Sequence, residues 1–133
     1  ATAGRAQLER VPDNVYVADY LPGLAAAERA DLVICSGGSA TAYQCLSQGV
    51  PVLGIAANMD QYLTMTGVCS VGAGRLLRAG HANSADISGV VSDLLHDEAY
   101  HEAARRVAGD FAKYDATQRF GVFVQEYLAT LPE

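Results

Sequence analysis

The sequence predicts an α/β domain built on parallel strands and ending in helices, and three observations carry that prediction. First, residues 31 to 61, DLVICSGGSATAYQCLSQGVPVLGIAANMDQ, run from an apolar stretch (Leu32 to Cys35) through a small-residue loop (Ser36 to Ala40) into a helical pattern reaching Leu46. Second, a Gly49-Val50-Pro51 break then leads to another apolar stretch, Val52 to Ile55. Strand, turn, helix and strand in that order make a βαβ unit, whose two strands are parallel because the connecting helix crosses over the sheet. Third, the last third of the chain repeats apolar residues at helical spacing.

Composition bounds the class. At 133 residues the chain is one domain, 1–133, able to bury a core of moderate size. Half the residues are apolar and Trp is absent, which suits an Ala/Leu/Val-packed interior. A net charge of -6 with nine scattered Lys and Arg argues against a nucleic-acid surface. No apolar run approaches membrane-spanning length, and the first residues lack the order of a signal peptide, so a soluble, cytoplasmic chain is expected. Cys35, Cys45 and Cys69 are an odd set without C-x-x-C spacing. They read as reduced, mostly buried thiols rather than a disulfide framework or zinc site.

Taken in order, residues 1 to 10 have no strong period and read as the tail of a helix from a longer chain. Pro12 and Asp13-Asn14 break the chain, and Val15-Tyr16-Val17 is a short β-rich strand candidate. Pro22 suits the first turn of a helix continuing over Leu24 to Ala30. A second βαβ unit is thus expected from Val15 to Cys35, putting Tyr20 on the same sheet edge as Gly37. A loop tyrosine packed on the strand is the alternative for Tyr20. Past the central unit, Asn58 is a credible N-cap for a helix from Tyr62 to about Thr66, with Gln61 three residues on; Thr41 and Gln44 share that capping-box spacing. One more short strand is expected between Gly67 and Gly80.

Ser84 is expected to cap a helix with the stripe Ile87, Val90, Val91, Leu94 and Leu95. The next helix turns Tyr100, Ala103, Ala104, Val107, Ala108 and Phe111 inward. The last, from about Thr117, carries Phe120, Val124, Tyr127, Leu128 and Leu131 as core contacts. His81, His96 and His101 lack metal-ligand company and are expected at the surface. No D-x-D pair is present to hold a divalent metal against a diphosphate, so no metal or other cofactor is expected.

The chemistry follows from Gly37 and Gly38, which sit where strand passes into helix. A missing Cβ permits positive φ and close approach of a ligand. The free N–H groups of the first helical turn and the positive end of the helix dipole favour a phosphate or pyrophosphate there. Ser39 and Thr41 can add hydroxyl donors. A tight turn capped by Ser39 or Thr41 explains the loop alone equally well.

The order of elements is more specific than the loop. GG-x-x-T, x-x-Q-C-L, G-V-P-V and D-Q, from Val33 to Gln61, resemble the donor-binding signature of the UDP-glycosyltransferase superfamily with the GT-B fold. The usual pattern there is H-G-G-x-G-T-x-x-E-A-L, then G-V-P, then D-Q. Tyr20-x-Pro22 resembles the W-x-P element before it, and Gly72-Ala73-Gly74 with the following helices resembles the domain's end, so nearly the whole chain is covered. The resemblance implies a Rossmann-like three-layer domain with a small parallel sheet: the GT-B C-terminal domain, short of its first βα units.

By the same resemblance, Ser36, Gly37, Gly38, Ser39 and Thr41 would hold the donor diphosphate. Tyr20 would stack on the base, with the backbone near Leu21 reading its edge. Gln44 would meet the ribose, and Asp60 and Gln61 the donor sugar. Ser36 stands where the family has His, Ala40 where it has Gly, and Gln44 where it has Glu; uncharged Gln should hold ribose less strongly. The implied function is binding of a UDP- or TDP-sugar for hexosyl transfer to an acceptor hydroxyl. The general base belongs to an N-terminal acceptor domain, in cis or as a partner subunit in trans, so no catalytic residue is placed in this chain. A chain without its acceptor half is also expected to expose an apolar face, which implies self-association.

Two rival readings start from the same residues. Ser36-Gly37-Gly38 also resembles the loop of non-hydrolysing UDP-N-acetylglucosamine 2-epimerases, although those follow it with paired glutamates. The substitutions at Ser36 and Gln44 also fit a degenerate donor domain kept as an auxiliary or assembly subunit.

Overall fold

The computed structural model describes residues 11–131. Three strands, β1 (Val33–Cys35), β2 (Val52–Ala56) and β3 (Gly74–Arg78), form one parallel sheet in the order β1-β2-β3. Six helices accompany it: α1 (Gly23–Ala27), α2 (Ser39–Ser47), α3 (Met59–Ser70), α4 (Ser84–His96), α5 (Glu98–Phe111) and α6 (Ala116–Ala129). The βαβ reading therefore holds twice, as β1-α2-β2 and β2-α3-β3.

Strand alternation sorts the two faces. Register aligns Val33, Val52 and Gly74 in one row and Cys35, Gly54 and Leu76 in another. These rows face the main core, where Val52, Met65, Val68, Ala42, Cys45 and Leu46 are buried together with Ala103 and Ala104 of α5. The intervening row, Ile34, Leu53 and Arg75, faces the other way. There Arg75 donates to the Tyr100 hydroxyl at 3.1 Å and pairs with Asp93 of α4 at 3.9 Å, which puts α4 across the opposite face. Helix, sheet and helix make the three layers expected.

The first predicted strand is absent. Val15-Tyr16-Val17 is irregular, Tyr16 is 95% exposed, and the Val15 N–H closes a turn onto the Pro12 carbonyl at 2.9 Å. β-rich residues make a strand only beside a partner that takes their backbone hydrogen bonds, and no described strand lies alongside. The βαβ unit from Val15 to Cys35 goes with it. The helix predicted over Leu24 to Ala30 is the shorter α1, with Pro22 as its N-cap. The helix predicted from Tyr62 to Thr66 extends to the 12 residues of α3, running through Gly67, where an added Cβ would meet nothing within 4 Å. The N-terminal helix tail lies outside the described residues.

The N-cap of α4 sits one residue before the expected Ser84. Asn83 rather than Ser84 is the N-cap: its Oδ1 accepts from the N–H groups of Ala85 and Asp86, and the Asp86 carboxylate accepts from the Asn83 N–H. Asp97 and Asp115 are the N-caps of α5 and α6, accepting from the N–H groups of Ala99 and Gln118. His81 and His96 are exposed as expected, whereas His101 is half-buried.

The stripes on the last three helices fare unequally. Leu94 is fully buried, Ile87, Val90 and Val91 are half-buried, and Leu95 is exposed. On α5, Ala103 and Ala104 are core, Tyr100, Val107 and Ala108 are half-buried, and Phe111 stands at the margin, edge-on to Tyr43 at 6.0 Å. α6 has no buried residue at all, and Phe120, Phe123, Tyr127, Leu128 and Leu131 are exposed. A 3.6-residue stripe marks the side of a helix that favours burial; a surface to bury it against must come from elsewhere in the fold. No helix among the described residues is long and apolar enough to cross a membrane.

Candidate functional site

The loop between β1 and α2 assigns different tasks to its two glycines. Gly37 is buried, has φ of 82°, and donates its N–H to Cys35 Sγ at 3.2 Å. A Cβ on it would lie 2.6 Å from Met65 Cγ. Gly37 thus serves the fold, with its donor turned inward. Gly38 has φ of -67° and ψ of 145°, and the nearest atom to a Cβ there would be Ser36 Oγ at 4.0 Å. That space is open.

Gly38 is also the N-cap of α2, with no side-chain cap. Ser39 and Thr41 are therefore the first and third residues of the helix rather than its caps, and no Thr41–Gln44 capping box forms. The first helical bond runs from the Ala42 N–H to the Gly38 carbonyl at 3.1 Å, so the N–H groups of Ser39, Ala40 and Thr41 have no acceptor within the helix. Ser36, Ser39 and Thr41 are exposed beside them. Uncapped donors at the positive end of a helix, at the carboxyl end of a parallel strand, form an anion-binding geometry.

Two further groups join this edge. The Gln44 amide lies directly on Gly23, where a Cβ would collide with Oε1 and sit 3.2 Å from Cδ. Gln44 is thereby brought against the turn that follows Tyr20 and Leu21, both of which are exposed. At the start of α3, Asn58 Oδ1 accepts from the Gln61 N–H at 3.0 Å, and Gln61 Oε1 accepts from the Ala57 N–H at 2.8 Å. Asn58 is thus the N-cap, while the Gln61 amide oxygen takes the Ala57 N–H, one residue before the cap, instead of closing a capping box; Asp60 remains exposed. The Gln61 carbonyl approaches to 3.3 Å of a Cβ placed on Gly37, so this turn lies against the glycine loop.

Beyond it, at the carboxyl ends of β2 and β3, a cavity of about 500 Å³ is lined by Asn58, Met59, Tyr62, Arg78 and His81, with the Arg78 guanidinium 5.0 Å from the Tyr62 ring centroid. A larger groove of about 810 Å³ lies away from this edge, around Arg75, Asp93, His96 and Tyr100. Its polar groups are spent on one another: Arg75 holds Tyr100 and Asp93, and the His96 ring bonds the Ser92 carbonyl.

Burial holds the thiols neutral. Burial pushes Cys45 up to about 11, with the neighbouring Cys35 adding to the rise. Burial also raises Cys35, partly offset by the bond from Gly37, and raises Cys69, partly offset by Arg75. A thiol whose folded value is raised contributes stability that is whole below its ordinary value, 9.0, and lost as pH climbs from there through about 11. Urea midpoints should fall over that window, and Cys45→Ala should flatten the fall. A wild-type midpoint independent of pH there would show that Cys45 is not held neutral by burial.

Residues 1–119 match the family described as "Erythromycin biosynthesis protein CIII-like, C-terminal domain". The chain belongs to that family. Among relatives of this CIII-like domain, the PGL/p-HBAD biosynthesis rhamnosyltransferase of Mycobacterium bovis (strain BCG / Pasteur 1173P2) is 45% identical over 133 residues, covering 100% of this chain and 29% of that protein. The spinosyn forosaminyltransferase SpnP superposes with a TM-score of 0.88 at 20% identity, over 95% of this chain and 34% of its own, which establishes the fold. The spinosyn rhamnosyltransferase SpnG, solved with thymidine diphosphate, matches at 25% identity and a TM-score of 0.74, over 80% of this chain and 29% of its own. The CIII-like domain is thus the C-terminal domain of a GT-B glycosyltransferase, as the motif order implied, and spans about 29% of the length of the rhamnosyltransferase it matches.

Three residues of the site escaped sequence reasoning. Gly23, Gly54 and Met65 carry no polar group: Gly23 seats the Gln44 amide, and Gly54 together with Gly37 leaves room for Met65. Gly54 had a signal, being an isolated glycine within an apolar strand, which marks close approach by a neighbour.

Proposed function

We propose that this domain binds a thymidine diphosphate deoxyhexose and presents it for glycosyl transfer to an acceptor hydroxyl. The observation that carries the reading is the uncapped N-terminus of α2 behind the open space at Gly38, on the helix that also bears Gln44. Thymidine diphosphate is favoured over uridine diphosphate by the SpnG complex, and a rhamnosyl group by the two rhamnosyltransferases. The motif order and these relatives also favour transfer over epimerisation.

In this reading the N–H groups of Ser39, Ala40 and Thr41, with the hydroxyls of Ser36, Ser39 and Thr41, receive the diphosphate. Gly37 acts by shaping the loop. Tyr20 and Leu21 meet the base, Gln44 the ribose, and Asp60 and the free amide of Gln61 the sugar. During transfer the bond from the anomeric carbon to the diphosphate oxygen breaks as the acceptor oxygen bonds to that carbon. The departing charge develops on the diphosphate, where the helix dipole and N–H donors stabilise it without requiring a metal. The base that takes the acceptor proton comes from an acceptor domain in cis or a partner in trans. Three unpaired thiols fit a cytoplasmic setting.

Calorimetric titration of the folded chain with thymidine, uridine and guanosine diphosphates tests the reading. Saturable binding of thymidine diphosphate is expected, weakened about 2- to 10-fold by Gln44→Ala, the worth of one net hydrogen bond to ribose. No binding by folded protein would sink it and favour an auxiliary subunit. Glycosyl transfer by this chain alone would contradict placing the base elsewhere.

A further inference from the structure

Met65 is fully buried on α3, four residues after Gln61. Two glycines from different elements make room for it. A Cβ on Gly37 would lie 2.6 Å from its Cγ and 3.5 Å from its Sδ; one on Gly54 would collide with Cγ and lie 2.6 Å from Sδ and 3.0 Å from Cε. The side chain is therefore wedged between the floor of the glycine loop and the middle strand. The first turn of α3 is itself fixed, because Gln61 is tied through its N–H to Asn58 and through its amide oxygen to the Ala57 N–H.

We infer that Met65 is a positioning residue that sets the spacing between the diphosphate loop and the sugar-facing turn at Asp60-Gln61; this rests on the donor-binding reading above. Diphosphate and sugar share one bridging oxygen, so a donor engages both groups only if the loop and the turn stand at the right separation. A bare nucleoside diphosphate uses the loop, Gln44 and the Tyr20 turn, and is indifferent to that separation. An unbranched thioether fits a slot whose two walls are glycine Cα atoms; a branched side chain cannot thread it without moving one wall.

The test compares affinities for thymidine diphosphate and thymidine diphosphate-rhamnose in wild type, Met65→Ala and Met65→Leu, by calorimetry well below each melting temperature. The ratio of the two affinities is the readout, because a general loss of folded protein cancels from it. Met65→Ala should lower the preference for the sugar-bearing ligand about tenfold while changing thymidine diphosphate affinity less than about threefold. Met65→Leu conserves volume and should fold even where Met65→Ala does not, with an intermediate fall in the ratio. An unchanged ratio in Met65→Leu, or in a folded Met65→Ala, would reduce Met65 to ordinary core packing and overturn the inference alone. A folded wild type that binds neither ligand would overturn the donor-binding reading and the inference with it.

Discussion

Gly38→Val is expected to abolish thymidine diphosphate binding while leaving the domain folded. The backbone at Gly38, φ -67° and ψ 145°, is one that valine adopts readily, and its Cβ would meet nothing closer than Ser36 Oγ at 4.0 Å. The fold should lose only the preference for glycine over a β-branched residue at an N-cap, about 1 kcal/mol. The isopropyl group, however, would fill the space onto which the first-turn N–H groups of α2 open. Charge-assisted hydrogen bonds contribute about 1.5–3 kcal/mol each, so excluding an anion from two of them weakens binding by roughly 10²- to 10⁴-fold. Calorimetry beside a thermal melt decides the matter. Retained affinity in a folded variant would mean that the diphosphate does not sit at this loop.

Gly37→Ala should have the reverse profile, with a large loss of stability and little effect on thymidine diphosphate affinity in the protein that remains folded. At φ 82° an L-residue pays about 1–2 kcal/mol, and overpacking against Met65 Cγ, 2.6 Å from the new Cβ, adds about 1–3 kcal/mol. The sum, about 2–5 kcal/mol, is a substantial part of the 5–15 kcal/mol typical of a domain. Urea unfolding should show the midpoint falling with the slope unchanged. A variant within about 0.5 kcal/mol of wild type would refute the view that Gly37 is held by strain and packing. The two neighbouring glycines thus separate by experiment: one opens the site and the other closes the fold beneath it.

That separation also marks how far the sequence could be read. GG between an apolar run and a helical pattern located the loop, and the order of four motifs located the family. Which glycine was free and which was buried depended on Met65, 28 positions past Gly37 and brought under it only by the packing of α3 on the sheet. Gln61 illustrates the same limit: capping and sugar binding were both consistent with its position, and the bond from the Ala57 N–H commits half of its amide to the turn before α3. Gln44 was legible as a polar residue one turn into the helix; its seat on Gly23, beside Tyr20 and Leu21, was not.

Local pattern alone determined the βαβ order, the parallel strands, the helical C-terminus and the place of the glycine loop, because each depends on periodicity or turn chemistry within a few residues. Only the tertiary structure decided whether a local preference had a partner. Val15-Tyr16-Val17 has strand-forming residues and no described strand to pair with, and α6 has an apolar stripe with nothing buried along it. The sheet register, too, is what turns Arg75 toward Asp93 and Tyr100. Hydrogen-bond pairing and burial belong to two surfaces at once, and a sequence states the preference of each surface without stating which other it meets.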